Sequence, residues 1–237
     1  MTEHLRNLLR HAQMQSIEMF QGLKERMWTG MTEIDLAQIA EAELRARGAE
    51  HFWAPTLVSF GRNTVNCHPD FVPSDNHLRS ADIVLMDVGP VVGGVLGDYC
   101  ETFLWGEAAV FGEVVRDAKD LQEFAIAQIE PGMPARELYR VCASWIDDHG
   151  YVLRDLLGNI GHSIGVAFAT EGFIDKYNEA PIIGAWTLEP HIAMGPRTSR
   201  AEAAKYATRA AGEDLGVFGA KFEDIVFVDQ GGVELLR

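Results

Sequence analysis

The spacing of apolar and polar positions divides the chain into two similar halves. Residues 5 to 28 and 112 to 130 carry apolar residues at helical intervals, and each stretch predicts an amphipathic helix. A second helix follows each. Residues 29 to 48 read TGMTEIDLAQIAEAELRARG, and residues 131 to 150 read PGMPARELYRVCASWIDDHG. Thr32 ahead of Glu33 and Asp35 is a suitable N-cap with acid in the first turn, and Pro134 suits a first helical position. Gly48 and Gly150 stop the two helices. Gly30 and Gly132, Met31 and Met133, Leu36 and Leu138, and Gly48 and Gly150 are all separated by 102 positions. Strand-like runs come after each helix pair. IVLMD, ending at Asp87, and GAWTLE, ending at Glu189, keep the same separation of 102. The pattern predicts one domain over residues 1–237, built from two related α/β halves that face each other about a pseudo-twofold axis, approximately 12–110 and 112–237.

One stretch raises a problem of charge. LMDVGPVVGGVLGDYCETF, residues 85 to 103, reads as two apolar strands around a glycine pair, with Asp87 in one and Asp98 in the other. A hairpin turning near Gly93 and Gly94 brings these carboxylates close to facing each other. Facing like charges repel, and buried acids without partners are costly. The pattern therefore calls for a positive charge between them.

Composition narrows the classes. With 20 basic and 35 acidic residues the formal net charge is −15. Such a field repels phosphate backbones, so nucleic acid is not the expected partner. The first twenty residues intersperse charges and lack the apolar core of a signal peptide, and no run approaches the apolar length of a membrane span. Cys67, Cys100 and Cys142 are odd in number and lack CxxC spacing. They fit reduced thiols of a cytoplasmic protein with no metal role. A homodimer, the commonest assembly, is compatible with all of this.

Three further segments hold chemistry-bearing residues. NIGHSIGVAF places His162 between glycines, WTLEPHIAMG places Glu189 at a strand end, and KFEDIVFVDQGG places Glu223 just before a β run. With Asp87 and Asp98 these make two aspartates, two glutamates and one histidine. That oxygen-rich set suits two divalent ions of Mn, Co, Fe or Zn type better than a thiolate-rich structural zinc site.

DVG at 87, DYCETF at 98, GHSIG at 161, LEPH at 188 and FEDIVFV at 222 resemble, in order and spacing, the ligand motifs of the M24 metallopeptidases. This family includes methionine aminopeptidase, Xaa-Pro aminopeptidase, prolidase and the non-peptidase creatinase. The resemblance covers nearly the whole chain and corresponds to the catalytic domain standing alone. It implies an α+β "pita-bread" fold, with two pseudo-twofold related α/β halves around a central curved antiparallel sheet. It also implies that Asp87 binds one metal through both oxygens, that Asp98 and Glu223 bridge two metals, and that His162 and Glu189 complete the second site. The implied activity is a dinuclear metal-dependent hydrolase cleaving a peptide or amide C–N bond with metal-activated water, Xaa-Pro-dipeptidase or aminopeptidase-like. Glu189 is the expected proton shuttle.

The sequence departs from the family at several positions. The histidine expected seven residues after His162 is Ala169. GHG has become GHS with Ser163, EPG has become EPH with His191, and the arginine of R-T-F is Glu101. His68, 19 residues before Asp87, lies near where family members place a substrate-contacting histidine, with a surface loop histidine as the plain alternative. His191 shares a strand face with Glu189 and is a candidate to supply the imidazole missing at Ala169. The departure at Ala169 keeps a second class of substrate open, a small non-peptide amide or amidine as in creatinase. A non-catalytic binding module on the same fold and an oxygen-activating iron site are the remaining alternatives.

Overall fold

Local capping chemistry fixes the ends of the second helix in each half. The computed structural model describes residues 3–67, 71–194 and 218–237. Helices α1 (Glu3–Leu23) and α2 (Glu33–Ala46) flank the first half, and α3 (Gly112–Ala127) and α4 (Ala135–Asp148) the second. α2 and α4 each span 14 residues and begin 102 positions apart, at Glu33 and Ala135. At α2 the Thr32 hydroxyl accepts from the Asp35 N–H at 3.0 Å while the Thr32 N–H donates to the Asp35 carboxylate at 2.8 Å. This reciprocal box satisfies two amides that the first turn leaves without partners. Pro134 is the N-cap of α4, one position earlier than expected, with φ −61°. Gly48 and Gly150 follow the C-caps with φ of 103° and 76°, a conformation glycine adopts without penalty. α1 ends at Leu23 and continues as a single 3-10 turn, Lys24–Arg26, short of the expected limit at residue 28.

The strands form antiparallel three-stranded sheets. In the first half β2 (Leu57–Phe60), β3 (Ala81–Val88) and β6 (Tyr99–Gly106) make one sheet in the order β2-β3-β6. In the second half β8 (Gly184–Leu188), β11 (Asp224–Asp229) and β12 (Gly232–Leu235) make another, in the order β12-β11-β8. The two meet where Cys100 and Glu223 bridge, the Glu223 N–H donating to the Cys100 carbonyl at 2.9 Å. Two smaller sheets lie outside this pair. One holds β1 (His51–Phe52), β4 (Pro90–Val92) and β5 (Val95–Leu96). The other holds β7 (Tyr151–Leu153), β9 (Ile192–Met194) and β10 (Gly219–Ala220).

The glycine hairpin forms, but its register differs from the sequence expectation. Gly93 and Gly94 both take positive φ, 62° and 73°, and Val92 pairs with Val95. Both glycines thus occupy the central positions of the turn, as a primed two-residue turn requires. Further along, Asp87 pairs with Cys100 rather than with Asp98. Asp98 lies two positions before Cys100, so the two carboxylates share a sheet face as diagonal neighbours.

Two apolar cores back the sheets, and the first also takes Ala185, Ile225 and Phe227 from the second half. α1 and α2 bury Leu9, Phe20, Leu36 and Leu44 against Phe60, Met86 and Val88. α3 and α4 bury Leu121, Leu138 and Ile146 against Trp186, Leu188 and Val226. Acids placed at strand ends between two such cores are held by rigid backbone on both sides.

Candidate metal centre

The five residues singled out from the sequence converge. Asp87 lies near the end of β3, Asp98 immediately before β6, Glu189 immediately after β8, and Glu223 immediately before β11. His162 is carried by a segment running beside β8, where the Thr187 N–H donates to the His162 carbonyl at 2.8 Å and the Glu189 N–H to the Ile160 carbonyl at 2.9 Å. Gly161 makes that approach possible. A Cβ added there would stand 2.1 Å from the Thr187 carbonyl oxygen, and its φ is +154°. Gly89 of the DVG stretch has a similar reason, since a Cβ would meet the Trp53 indole nitrogen at 2.6 Å.

Ligand atoms of Asp98, His162 and Glu223 lie within 4.8 Å of one another, as do those of Asp87, Glu189 and Glu223. The set is buried, with Glu189 the most open at 15 % side-chain exposure. His162 Nδ1 lies 3.1 Å from the Ser163 carbonyl, an acceptor, so the ring proton belongs there. Nε2 then turns its lone pair to Asp98 Oδ2 at 3.2 Å and Glu189 Oε1 at 3.6 Å. Asp98 Oδ2 and Glu223 Oε1 are buried and accept no hydrogen bond among the described residues. Buried acceptors left in this state need a partner, and a divalent cation is the partner that acceptor oxygens and an imidazole lone pair have in common. The residues therefore fit a metal ion at this end of the site.

Burial drives the Asp98 carboxyl well above the ordinary carboxylate range, and the charges of Asp87 and Glu189 push the same way. Burial likewise raises Glu223, with Asp98 and Glu189 adding to it.

A residue that the sequence reading missed stands at the other end. Lys221 Nζ lies 2.6 Å from Glu189 Oε2, 2.7 Å from Asp87 Oδ2 and 3.3 Å from Glu223 Oε2. Burial alone would lower its pKa, but Asp87, Glu189 and Glu223 together hold the ammonium well above its usual value. Strand periodicity contains the signal, because Lys221 is two residues before Glu223 and shares its face. The neighbouring Asp224 points the other way, bonded to Gln122 and Arg237.

Aromatic rings line the His162 side. Phe168 lies 4.5 Å from the imidazole and stacks on Trp53 at 4.9 Å, and Phe173 packs on Phe168 at 5.7 Å. Ser163 and Ala169 shape the loop that presents Phe168. The Ser163 hydroxyl accepts from the Glu171 N–H at 2.8 Å, and its carbonyl accepts from the Ala169 N–H at 2.8 Å. Ala169 has φ 50°, the one positive φ of a non-glycine residue among those described.

The remaining candidates are placed differently. His191 is buried, and its Nε2 donates to the Thr64 carbonyl at 2.8 Å, while Nδ1 has no partner among the described residues. Burial, aided by the Lys221 charge, lowers its pKa to about 3, so the ring is neutral. Glu101, at the family's arginine position, pairs with Lys24 at 3.3 Å. His68 lies outside the described residues.

Residues 7–230 match the model of metallopeptidase family M24. Methionine aminopeptidase A of Synechocystis sp. is 29% identical over 222 residues, covering 87% of this chain and 84% of that protein. The methionine aminopeptidase of Chlamydia pneumoniae is 26% identical over 149 residues, and the match spans 60% of this chain and half of that protein's length, 50%. Among solved structures, the Xaa-Pro dipeptidase from Bacillus anthracis superposes with a TM-score of 0.83 at 21% identity, covering 99% of this chain and 61% of that one. The methionine aminopeptidase from Rickettsia prowazekii gives 0.78 at 20% identity, covering 100% and 98%. The chain has the expected α+β pita-bread fold of these proteins.

Proposed function

Because the chain belongs to metallopeptidase family M24, we propose that it is a metal-dependent hydrolase that cleaves a peptide or amide C–N bond, acting as one catalytic unit over residues 1–237. The observation that carries this reading is the buried meeting of Asp98 Oδ2, Glu223 Oε1 and the His162 Nε2 lone pair, with neither oxygen hydrogen-bonded among the described residues. Asp87, Asp98, His162, Glu189 and Glu223 offer two cation loci that share Glu223. A divalent ion bound there supplies Lewis acidity, lowering the pKa of water and polarising a carbonyl. Mn, Co, Fe and Zn all suit the donor set.

The chain's own residues divide the remaining work. Glu189, the most open carboxylate of the set, takes the proton released as water attacks and returns it to the leaving amine. Asp98, His162 and Glu223 are buried and keep to holding the ion. Trp53 and Phe168 exclude water from the His162 side and give an apolar substrate group a surface to rest on. The reading keeps the sequence expectations of a cytoplasmic enzyme with no nucleic-acid or membrane partner, and it is compatible with a homodimer. No helix among the described residues is long and apolar enough to cross a membrane.

Ala169 favours a second reading of the substrate. A methyl group with φ 50° stands where the imidazole of the peptidases is expected, which supports a small amide or amidine in place of a peptide. One experiment separates the two. Metal-loaded protein is assayed on Xaa-Pro dipeptides, N-terminal methionine peptides and small amides, with and without chelator. Chelator-sensitive release of amine from any of them supports the proposal, and the responding class assigns the substrate. Inactivity on all three, with metal bound, speaks for the binding-module alternative.

A further inference from the structure

The two ends of the acidic cluster are built differently. At the His162 end, Asp98 Oδ2 and Glu223 Oε1 are buried without a hydrogen bond among the described residues, and Asp98 Oδ2 faces the His162 Nε2. At the Asp87 end the cation is present in the chain itself. We infer that the Lys221 ammonium is a built-in counter-cation occupying the second locus, so that this centre holds one divalent ion, at Asp98, His162 and Glu223. The inference rests on the metal-hydrolase reading above and refines its metal count.

Three observations carry it. An ammonium has three N–H donors, and Lys221 Nζ meets three carboxylates, Asp87 at 2.7 Å, Glu189 at 2.6 Å and Glu223 at 3.3 Å. Its donors are all used. These are also the three residues whose oxygens gather within 4.8 Å at the second locus, so the ammonium lies among the oxygens a second ion would use. Finally, the lysine is held by its backbone. The Lys221 N–H donates to the Thr102 hydroxyl at 2.9 Å, and that hydroxyl donates to the Lys221 carbonyl at 2.8 Å. With Glu223 bridged to Cys100 two residues on, strand alternation keeps the Lys221 side chain on the cluster's face. A dication entering the Asp87 end has to displace a buried like charge or settle beside it, and either is unfavourable.

The arrangement gives Lys221 a second effect. By binding Glu189 Oε2 it leaves Oε1, the oxygen 3.6 Å from His162, as the atom available at the metal end. Lys221 is thus a positioning residue for Glu189.

The test is metal stoichiometry on the full chain, stripped with chelator and titrated with Mn(II). Binding is followed by equilibrium dialysis and the signal by electron paramagnetic resonance. The wild type should take up one tight equivalent and show the six-line spectrum of an isolated ion. Lys221→Met, which keeps the length and removes the charge, should take up two and show an exchange-coupled pair. Lys221→Arg, which keeps the charge, should stay at one. Two tight equivalents in the wild type overturn the inference and leave the hydrolase reading standing, whether or not the methionine variant folds. A folded Lys221→Met that still binds one equivalent also overturns it. No tight binding by the wild type sinks both.

Discussion

His162 Nε2 stands 3.2 Å from Asp98 Oδ2, and Nδ1, 3.1 Å from the Ser163 carbonyl, is the nitrogen placed to donate there. A divalent ion coordinated by both, with Glu223 Oε1 beside it, would satisfy the Nε2 nitrogen and the carboxylate together. Asp98→Ala should therefore lose the ion at the His162 end. The check is elemental analysis after gel filtration in chelator-free buffer, where full metal content in the variant would refute the assignment.

Removing the metal should expose a pH dependence of stability. Burial raises the folded-state pKa of Asp98 and Glu223 above their ordinary values of 3.8 and 4.5. A carboxyl raised on folding stabilises the metal-free fold fully below its unfolded pKa, and that contribution fades as pH rises through the folded value. Metal binds the deprotonated form and acts in the opposite sense. The gap in Tm between metal-loaded and chelator-treated protein should widen from pH 5 to pH 8. Calorimetry at both pH values reads it directly, and a constant gap contradicts the argument.

His191 sets a limit on the acid side. Its pKa falls from 6.5 unfolded to about 3 folded, so its contribution is present above pH 6.5 and is lost as pH falls towards 3. The loss is on the order of a few kcal/mol for a shift of this size. His191→Gln, which can still donate to the Thr64 carbonyl, should flatten the acid limb of a urea-stability profile. An unchanged profile would mean that other groups govern acid unfolding.

Ala169 can be asked directly whether the missing imidazole matters. Histidine tolerates the left-handed region better than most side chains, so Ala169→His is compatible with φ 50°. If peptide turnover is limited by the absent group, the variant should gain roughly 10²–10⁴-fold in kcat/KM on dipeptides at equal metal content. His191→Ala alone and combined with it then shows whether the buried ring substitutes. Wild-type turnover of dipeptides at ordinary peptidase rates, unaffected by His191→Ala, would show that neither imidazole matters and would favour a conventional peptidase using His68 and Glu189.

Gly161→Ala probes the close approach beside β8. Its Cβ would lie 2.1 Å from the Thr187 carbonyl, so the segment carrying His162 must move away. A cost of about 3 kcal/mol in unfolding free energy is expected from the strain and displacement together, along with weaker metal binding. A variant of wild-type stability and affinity would show that the segment can shift freely.

Much of the fold and of the metal set is legible in the sequence. Thr32, Asp35, Gly48 and Gly150 announce helix ends by local chemistry, and local chemistry survives folding. The four acids of the metal set are readable because acids at the ends of apolar runs are rare without a reason, and His162 because it sits between glycines. The near-facing of Asp87 and Asp98 is misread, because both glycines are needed at the middle of the turn, and the pairing puts Asp87 opposite Cys100. Lys221 escapes for a different reason. A lysine near an acid reads as surface charge, and only the pairing of its segment with Thr102, 119 positions away, turns it inward. Trp53 and Phe168 are joined to His162 by packing across the fold, which no spacing encodes.

That long-range pairing has a consequence for how the chain reaches its native state. Thr102 and Lys221 are separated by 119 positions, and Lys221 and Asp87 by 134. Contacts of such separation form late, after the loop-closure entropy has been met. During synthesis, β2, β3 and β6 emerge well before residues 219–229, which later bring Ile225 and Phe227 to the same core. Until these emerge, the Cys100 end of β6 that later receives Glu223 is without that partner, and Asp87 on the middle strand β3 is without Lys221. Edges of this kind recruit other strands, yet like-charged copies of Asp87 and Asp98 repel one another. The carboxylates of the metal set thus disfavour pairing of two incomplete chains along this edge.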